Sequence, residues 1–313
     1  MSDASTERES LLEKAVQQRR QAPGGGRPAD GQPAAPGPAA APAAAEGGVS
    51  APAPPRADQA SPGVSVTIDL PGLKAKGYLT PDGERTRVAE EFRIIKRPLL
   101  ENAFGRAAAL VENGNLIMVT SAVPGEGKTY NAINLAMSIA MEMDKTVLLV
   151  DADVGRARVH DVLKIPMGPG LIDLLTHDSL DAGAVMMRTN VPKLRVIPMG
   201  RYHLHATELL ASDNMRRLTR ELSTRYNDRV VIFDSPPLLA ASEAAVLAGL
   251  MGQIVFVVQS GRTLQAQVKD ALTLVDTSNP VGLVLNKVGK ATGGDYYGYG
   301  SYGYSDYHGA KTK

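Results

Sequence analysis

One hexapeptide carries most of the chemistry: Pro124-Gly125-Glu126-Gly127-Lys128-Thr129. It follows an apolar run at 116–120 and precedes a helical stretch at 128–143. A phosphate-binding loop requires that strand–loop–helix context. Gly125 and Gly127 let backbone N–H groups turn inward around an anion. The helix that starts near Lys128 adds its N-terminal dipole. Lys128 would reach the β- and γ-phosphates of a nucleotide, and the Thr129 hydroxyl would bind Mg²⁺. The usual pattern opens on glycine where this chain has Ala122, a residue small enough to be tolerated.

Two acidic strand ends complete the set. Residues 147–150 are apolar and lead into Asp151-Ala152-Asp153, two alternating carboxylates where ligands sit in open parallel sheets. Residues 230–233 lead into Asp234-Ser235-Pro236-Pro237. There Asp234 is placed for Mg²⁺, and the prolines stop the strand. Mg²⁺ takes hard oxygen ligands and keeps several waters, so the metal set is Thr129, Asp151 and Asp234. Asp151 or Asp153 could instead accept a proton from a nucleophile, and the two are expected to differ in role. The nucleotide set is Gly125, Glu126, Gly127, Lys128, Thr129, Tyr130 and Asn286. Asn286 sits at the end of an apolar run at 281–285, and its amide can both donate to and accept from a base. His203 and His205 fall in a polar loop and are given no role.

These residues need a scaffold that brings strand ends together. Apolar β-branched runs recur at 116–120, 146–150, 194–197, 230–233, 254–258 and 281–285. Helical stretches at 128–143, 208–226 and 264–275 separate several of them. Continuous apolar strands alternating with helices predict an α/β fold with a mostly parallel sheet and helices on both faces. The predicted domain covers residues 64–292.

Both ends differ from this middle. In residues 22–63, Ala, Pro and Gly fill 32 of 42 positions, too little apolar surface to offset ordering entropy. Proline keeps such a linker semi-extended. Before it, within residues 1–21, a stretch from Thr6 to Arg20 reads as a short helix. Thr6 and Glu9 fit a capping box there, and Leu11, Leu12, Ala15 and Val16 form a narrow stripe. It is either a solvated helix or a docking peptide on a tether. At the other end, residues 293–313 carry six of the ten tyrosines, Tyr296, Tyr297, Tyr299, Tyr302, Tyr304 and Tyr307, spaced by Gly, Ser and Asp. No period of 2 or 3.6 would bury them, so a flexible tail is expected.

Composition excludes several classes. The chain has 313 residues, 34 Lys+Arg against 33 Asp+Glu, and a net charge of +1, which gives no sign of nucleic-acid binding. With no cysteine there is no disulfide, Cys-ligated zinc or Cys-ligated iron–sulfur cluster. The longest mostly apolar stretch, 244–258, is too short to span a bilayer, and the N-terminus lacks a secretory signal. A cytoplasmic location is expected, with any membrane association supplied by a partner.

The P-loop, the acidic motif after its helix, and the apolar run ending in Asp-Ser-Pro-Pro together resemble the deviant P-loop ATPases. Partitioning ATPases of that class carry a signature lysine five positions before the P-loop lysine, where this chain has Val123. With the tyrosine cluster added, the combination resembles the bacterial tyrosine autokinases of capsule and exopolysaccharide loci, over roughly residues 85–307. The Glu90-Glu-Phe-Arg-Ile-Ile-Lys-Arg-Pro-Leu-Leu run and the Ala/Gly/Pro-rich arm resemble the exosortase-linked subgroup. Gly155 stands where the family's second motif has arginine, with Arg156 and Arg158 close by.

That resemblance implies an ATP- and Mg²⁺-dependent tyrosine autokinase acting on the six tail tyrosines. It implies a homo-oligomeric ring held through Glu90, Arg93 and Lys96, a helix face charged enough to stay out of its own core. It also implies a membrane polysaccharide co-polymerase as activator, a tyrosine phosphatase, and attachment at the inner membrane through the partner. Two rival readings are a nucleotide-switched assembly ATPase, which the same motifs serve, and a non-catalytic scaffold with a Tyr/Gly tail.

Overall fold

The computed structural model describes residues 64–82, 86–225, 228–276 and 278–289. The expected N-terminal helix, the linker and the tyrosine-rich tail lie outside them. Eight strands are present: β1 (Ser65–Val66), β2 (Leu116–Ser121), β3 (Thr146–Asp151), β4 (Met187–Thr189), β5 (Leu194–Ile197), β6 (Arg229–Asp234), β7 (Gln253–Gln259) and β8 (Val281–Asn286). They form one sheet in the order β1-β4-β5-β3-β6-β2-β7-β8. Every pairing is parallel except β4 with β5.

The central strands are apolar throughout because both faces are covered. Leu116, Met118, Leu148, Val150, Val231 and Phe233 point into one core. Their neighbours Ile117, Val119, Val147, Leu149, Val230 and Ile232 point into the other. The second core is roofed by α1 (Leu70–Ala75), α2 (Arg87–Phe104), α3 (Lys128–Ala140) and α4 (Val159–Leu163). Helices on the first core include α5 (Leu171–Thr176), α6 (Ala182–Val185), α7 (Ala206–Leu210), α8 (Asp213–Thr224), α9 (Ser242–Ala248) and α10 (Gln265–Leu272). The expected α/β architecture with helices on both faces is thus present.

The stretch 208–226, expected as one helix, is two. Ser212 interrupts it: its hydroxyl accepts from the Met215 N–H at 3.3 Å and caps α8. A capping serine ends one helix and starts the next because it satisfies an N–H that otherwise has no partner. The short strands β1 and β4 were not anticipated. Each is two or three residues long, below the length at which alternation is visible.

Candidate active site

The parallel strands deliver their C-terminal ends to one edge, where β2 turns into α3. The loop between them places Gly125 at φ 88° and Gly127 at φ 102°, a left-handed backbone that favours glycine. A Cβ on Gly127 would also lie 2.1 Å from Asn286 Nδ2. Helix α3 has no side-chain cap at its N-terminus. Its first N–H groups therefore stay free for an anion, as phosphate cradles require. Ala122 is fully buried in the first core, so its methyl group packs there.

Behind the loop lies a brace that sequence reasoning missed. Glu126, expected among the nucleotide contacts, turns its side chain inward and is 1% exposed. Its carboxylate accepts from the Val123 N–H at 2.7 Å, from the Gln259 N–H at 3.3 Å and from the Thr263 hydroxyl. Its carbonyl accepts from Asn286 Nδ2 at 2.8 Å, and Lys287 Nζ donates to the Gly125 carbonyl at 2.6 Å. The ends of β7 and β8 thereby fix the shape of the loop. Asn286 meets the loop as a brace, with base recognition left as an expectation. The Tyr130 side chain is also held by residues outside the loop. Its hydroxyl donates to the Gly77 carbonyl at 2.9 Å, and its ring lies 4.9 Å from that of Tyr78.

Glu126→Ala is expected to strand two donors, the Val123 N–H and the Thr263 hydroxyl, because the Gln259 N–H also donates to Thr263 Oγ1 at 3.1 Å, at about 1–3 kcal/mol for each buried group left unpaired. We expect denaturant unfolding to show a loss of roughly 2–4 kcal/mol, with weaker ATP binding. Glu126→Gln keeps acceptor oxygen and volume, so it should lose less. Equal stability of the alanine variant and the wild type would show that the brace contributes nothing.

The acidic residues converge as expected. Asp151 and Asp234 are register partners on β3 and β6, and the Ala152 N–H donates to the Asp234 carbonyl at 2.8 Å. Lys128, the first residue of α3, is 7% exposed, with Nζ 3.6 Å from Asp153 Oδ2. The ammonium thus sits against Asp153 and close enough to Asp234 to favour its charged form. Asp151 Oδ2 accepts from the Val159 N–H at 3.0 Å, while its Oδ1 and both Asp234 oxygens have no hydrogen-bond partner. Burial pushes the Asp234 carboxyl up to about 7, and Asp153 adds to the rise; the neighbouring Thr129 hydroxyl and Lys128 ammonium oppose it. Burial raises Asp151 well above the carboxylate range too, reinforced by the Asp234 charge.

Buried carboxylate oxygens without partners are costly, and a divalent cation removes that cost. Thr129, Asp151 and Asp234 thus fit Mg²⁺. No group of three or more His, Cys, Asp or Glu side chains among the described residues forms a ready metal cage. Mg²⁺ beside a nucleotide needs none, because one or two carboxylates, phosphates and waters suffice. Asp151 and Asp153 are inequivalent, the former sealed and pinned to Val159 and the latter next to Lys128.

Comparison with known proteins agrees with this geometry. Residues 114–266 match the family model described as an AAA domain. The tyrosine-protein kinase YwqD of Bacillus subtilis is 36% identical over 214 residues, which span 67% of this chain and 86% of that protein. The chain belongs to the bacterial tyrosine-protein kinases. The tyrosine-protein kinase CpsD of Streptococcus agalactiae is 32% identical, over 60% of this chain and 83% of that one. The kinase domain of the Escherichia coli tyrosine kinase ETK superposes with a TM-score of 0.58 at 27% identity, covering 77% of this chain and 94% of that domain. The kinase therefore has the P-loop nucleotide-binding fold, and its activity is protein-tyrosine phosphorylation.

The kinase departs from expectation at its charged helix. In α2, Glu90 and Arg93 do lie on the surface, with Arg93 Nη1 2.6 Å from both Glu90 oxygens. Lys96 does not join them. It is 6% exposed, donates to the Ser138 carbonyl at 2.7 Å and pairs with Glu142 at 2.6 Å. The reason is spacing: Phe92, Lys96 and Leu99 are the buried residues of α2, an i, i+4, i+7 stripe on one face. Lys96 thus ties α2 to the end of α3, and as an intersubunit contact it is withdrawn.

Proposed function

We propose that the kinase transfers the γ-phosphoryl group of ATP to the tail tyrosines Tyr296, Tyr297, Tyr299, Tyr302, Tyr304 and Tyr307 of a neighbouring copy. The observation that carries this reading is the Lys128 ammonium against buried Asp153 and near buried Asp234 beside a phosphate loop, in a chain with a cluster of six phenols. Lys128 and the free N–H groups of α3 would hold the β- and γ-phosphates. Mg²⁺, held by Thr129, Asp151 and Asp234, would neutralise phosphate charge.

A phenol of pKa near 10 is a weak nucleophile at neutral pH. Asp153, the more accessible of the two carboxylates at the β3 end, would orient it, with Asp151 the alternative. The Tyr Oη–Pγ bond forms as the bond from Pγ to the β-phosphate oxygen breaks. The phenolic proton passes to the carboxylate, and ADP leaves.

The tail follows β8 by only a few residues, so a neighbour's site is easier to reach than its own. A ring of copies, with Glu90 and Arg93 on its contacts, would serve that transfer. Each phosphate adds about −1.5 to −2 charges, so a phosphorylated tail would loosen the ring, and a tyrosine phosphatase would restore it. In this reading the cycle tunes exopolysaccharide polymerisation and export. A membrane polysaccharide co-polymerase is the activator and holds the cytoplasmic kinase at the inner membrane. Among the described residues, no helix is long and apolar enough to cross a membrane.

Labelled ATP tests the reading. Label on the wild-type protein, and none on a variant with all six tail tyrosines changed to Phe, is expected. The six-Phe variant should bind ATP normally and stay assembled by light scattering. Release of free phosphate with no labelled protein would favour the assembly ATPase instead.

A further inference from the structure

Two neighbouring side chains at the end of β8 hold the phosphate loop from one side. Asn286 Nδ2 donates to the Glu126 carbonyl at 2.8 Å, and Lys287 Nζ donates to the Gly125 carbonyl at 2.6 Å. The same ammonium lies 3.3 Å from Gln259 Oε1. The two carbonyls are consecutive. All described peptide bonds are trans, and a trans peptide sets its C=O and its N–H on opposite sides. Both carbonyls turn to the end of β8, so the Glu126 and Gly127 N–H groups turn away from it. Neither N–H donates to a protein group among the described residues.

Lys287 holds this place on an unusual backbone. Its φ is 56°, in the left-handed region that few residues with a Cβ enter. Among the described residues other than glycine, Asn113 and Lys164 share it. Asparagine enters it readily, and Lys164 ends helix α4. Lys287 has neither reason, and such outliers concentrate where backbone serves a site. The loop in turn needs holding. Gly125 has φ 88°, and a Cβ there would meet nothing within 4 Å. A glycine in open space lets the next peptide unit rotate. Rotated by half a turn, that unit would offer an anion a carbonyl in place of an N–H, and the cradle would be lost.

We infer that Lys287, together with Asn286, is a positioning residue of the phosphate loop: the pair holds the Gly125 and Glu126 carbonyls outward and so aims the Glu126 and Gly127 N–H groups at the phosphates of the nucleotide. Lys287 acts through the loop backbone, and its donor selects one of two orientations that the glycine leaves open. Asn286 does the same one peptide further on, where a Cβ on Gly127 would lie 2.1 Å from its Nδ2, so glycine is required for the amide to come so near. The inference rests on phosphate binding at this loop and is independent of which tyrosines accept the phosphoryl group.

Inorganic tripolyphosphate with Mg²⁺ is the probe, because it carries phosphates and no base. Its binding and that of Mg-ADP are measured by calorimetry on the full-length chain, with thermal unfolding of the ligand-free protein as the folding control. Lys287 is exposed, so Lys287→Met should fold normally. We expect its Kd for both probes to rise about tenfold, the scale of one hydrogen bond from a charged donor. Lys287→Arg keeps charge and donors and should recover most of the affinity. Asn286→Ala changes no charge and should also weaken tripolyphosphate. Unchanged tripolyphosphate affinity in Lys287→Met overturns the inference. So does a Lys287→Met deficit that disappears at high salt, the mark of a diffuse surface charge. An Asn286→Ala variant that loses affinity for Mg-ADP alone would show its amide reading the base and would overturn the paired clamp. Failure of both probes to bind the wild type would overturn the phosphate site itself, a result distinct from failure of the clamp.

Discussion

Lys128→Met should lower autophosphorylation by at least about 10²-fold, the loss seen when one preorganised charge-stabilising group is removed. The structure adds a consequence. Lys128 is buried as the first residue of α3 and faces Asp153 at 3.6 Å. Met fills much of the same volume, so no large cavity opens. What disappears is the ammonium beside Asp153 and Asp234, and protonation of Asp234 should then extend to higher pH. Circular dichroism should still show a folded protein while transfer is lost. Near-wild-type autophosphorylation of the purified variant would remove Lys128 from the site.

The second large effect is a gain of stability with a loss of function. Asp234 sits with both oxygens unpartnered, and burial lifts it from an ordinary 3.8 to about 7. In the native state it holds a proton over a pH range where the unfolded chain has lost it. The native state then binds more protons, so its contribution to stability declines as pH rises from about 4 to about 7. Asp234→Asn removes that titration. Without Mg²⁺ or nucleotide at pH 8, the variant should be more stable by on the order of 2 kcal/mol, roughly 4–8 °C in a domain of this size. The advantage should shrink toward pH 5, where the wild-type carboxyl is protonated. Phosphorylation should be lost, because the Mg²⁺ ligand is gone. Lower stability of the variant at pH 8 would show that the native carboxylate is satisfied and that the cation argument is wrong.

The same electrostatics give Mg²⁺-nucleotide binding its pH dependence. Binding requires ionised carboxylates, so proton release accompanies it below about pH 7. Affinity should rise with pH up to that point and then level off.

Much of this site was legible in the chain because its residues are set by strand ends. An apolar run bounded by Gly or Asp marks both the strand and the residue it delivers. Residues 116–120, 146–150 and 230–233 thereby located Lys128, Asp151, Asp153 and Asp234 before any contact was known. What stayed hidden depends on which way a side chain turns after the strand ends. Glu126 lies in the middle of the phosphate loop, yet its carboxylate points back to Gln259 and Thr263. Those partners lie more than 130 residues away, and no local pattern announces them. Lys96 is the opposite case. Its place in the Phe92–Lys96–Leu99 stripe was visible, but a charged residue was read as solvent-facing, and its long stem and a buried carbonyl partner reversed that. Asn286 and Tyr130 show the same limit. Their positions beside the loop followed from topology, and their hydrogen bonds to Glu126 and Gly77 did not.

The most direct measurement of the central claim is intact mass spectrometry of the purified full-length chain, with and without Mg-ATP, followed by fragmentation to place the added mass. The account predicts a ladder of single-phosphate increments that needs Mg-ATP, maps to Tyr296–Tyr307 and is absent from Lys128→Met. An unchanged mass after incubation with Mg-ATP, or phosphate found only outside the tail, would contradict it.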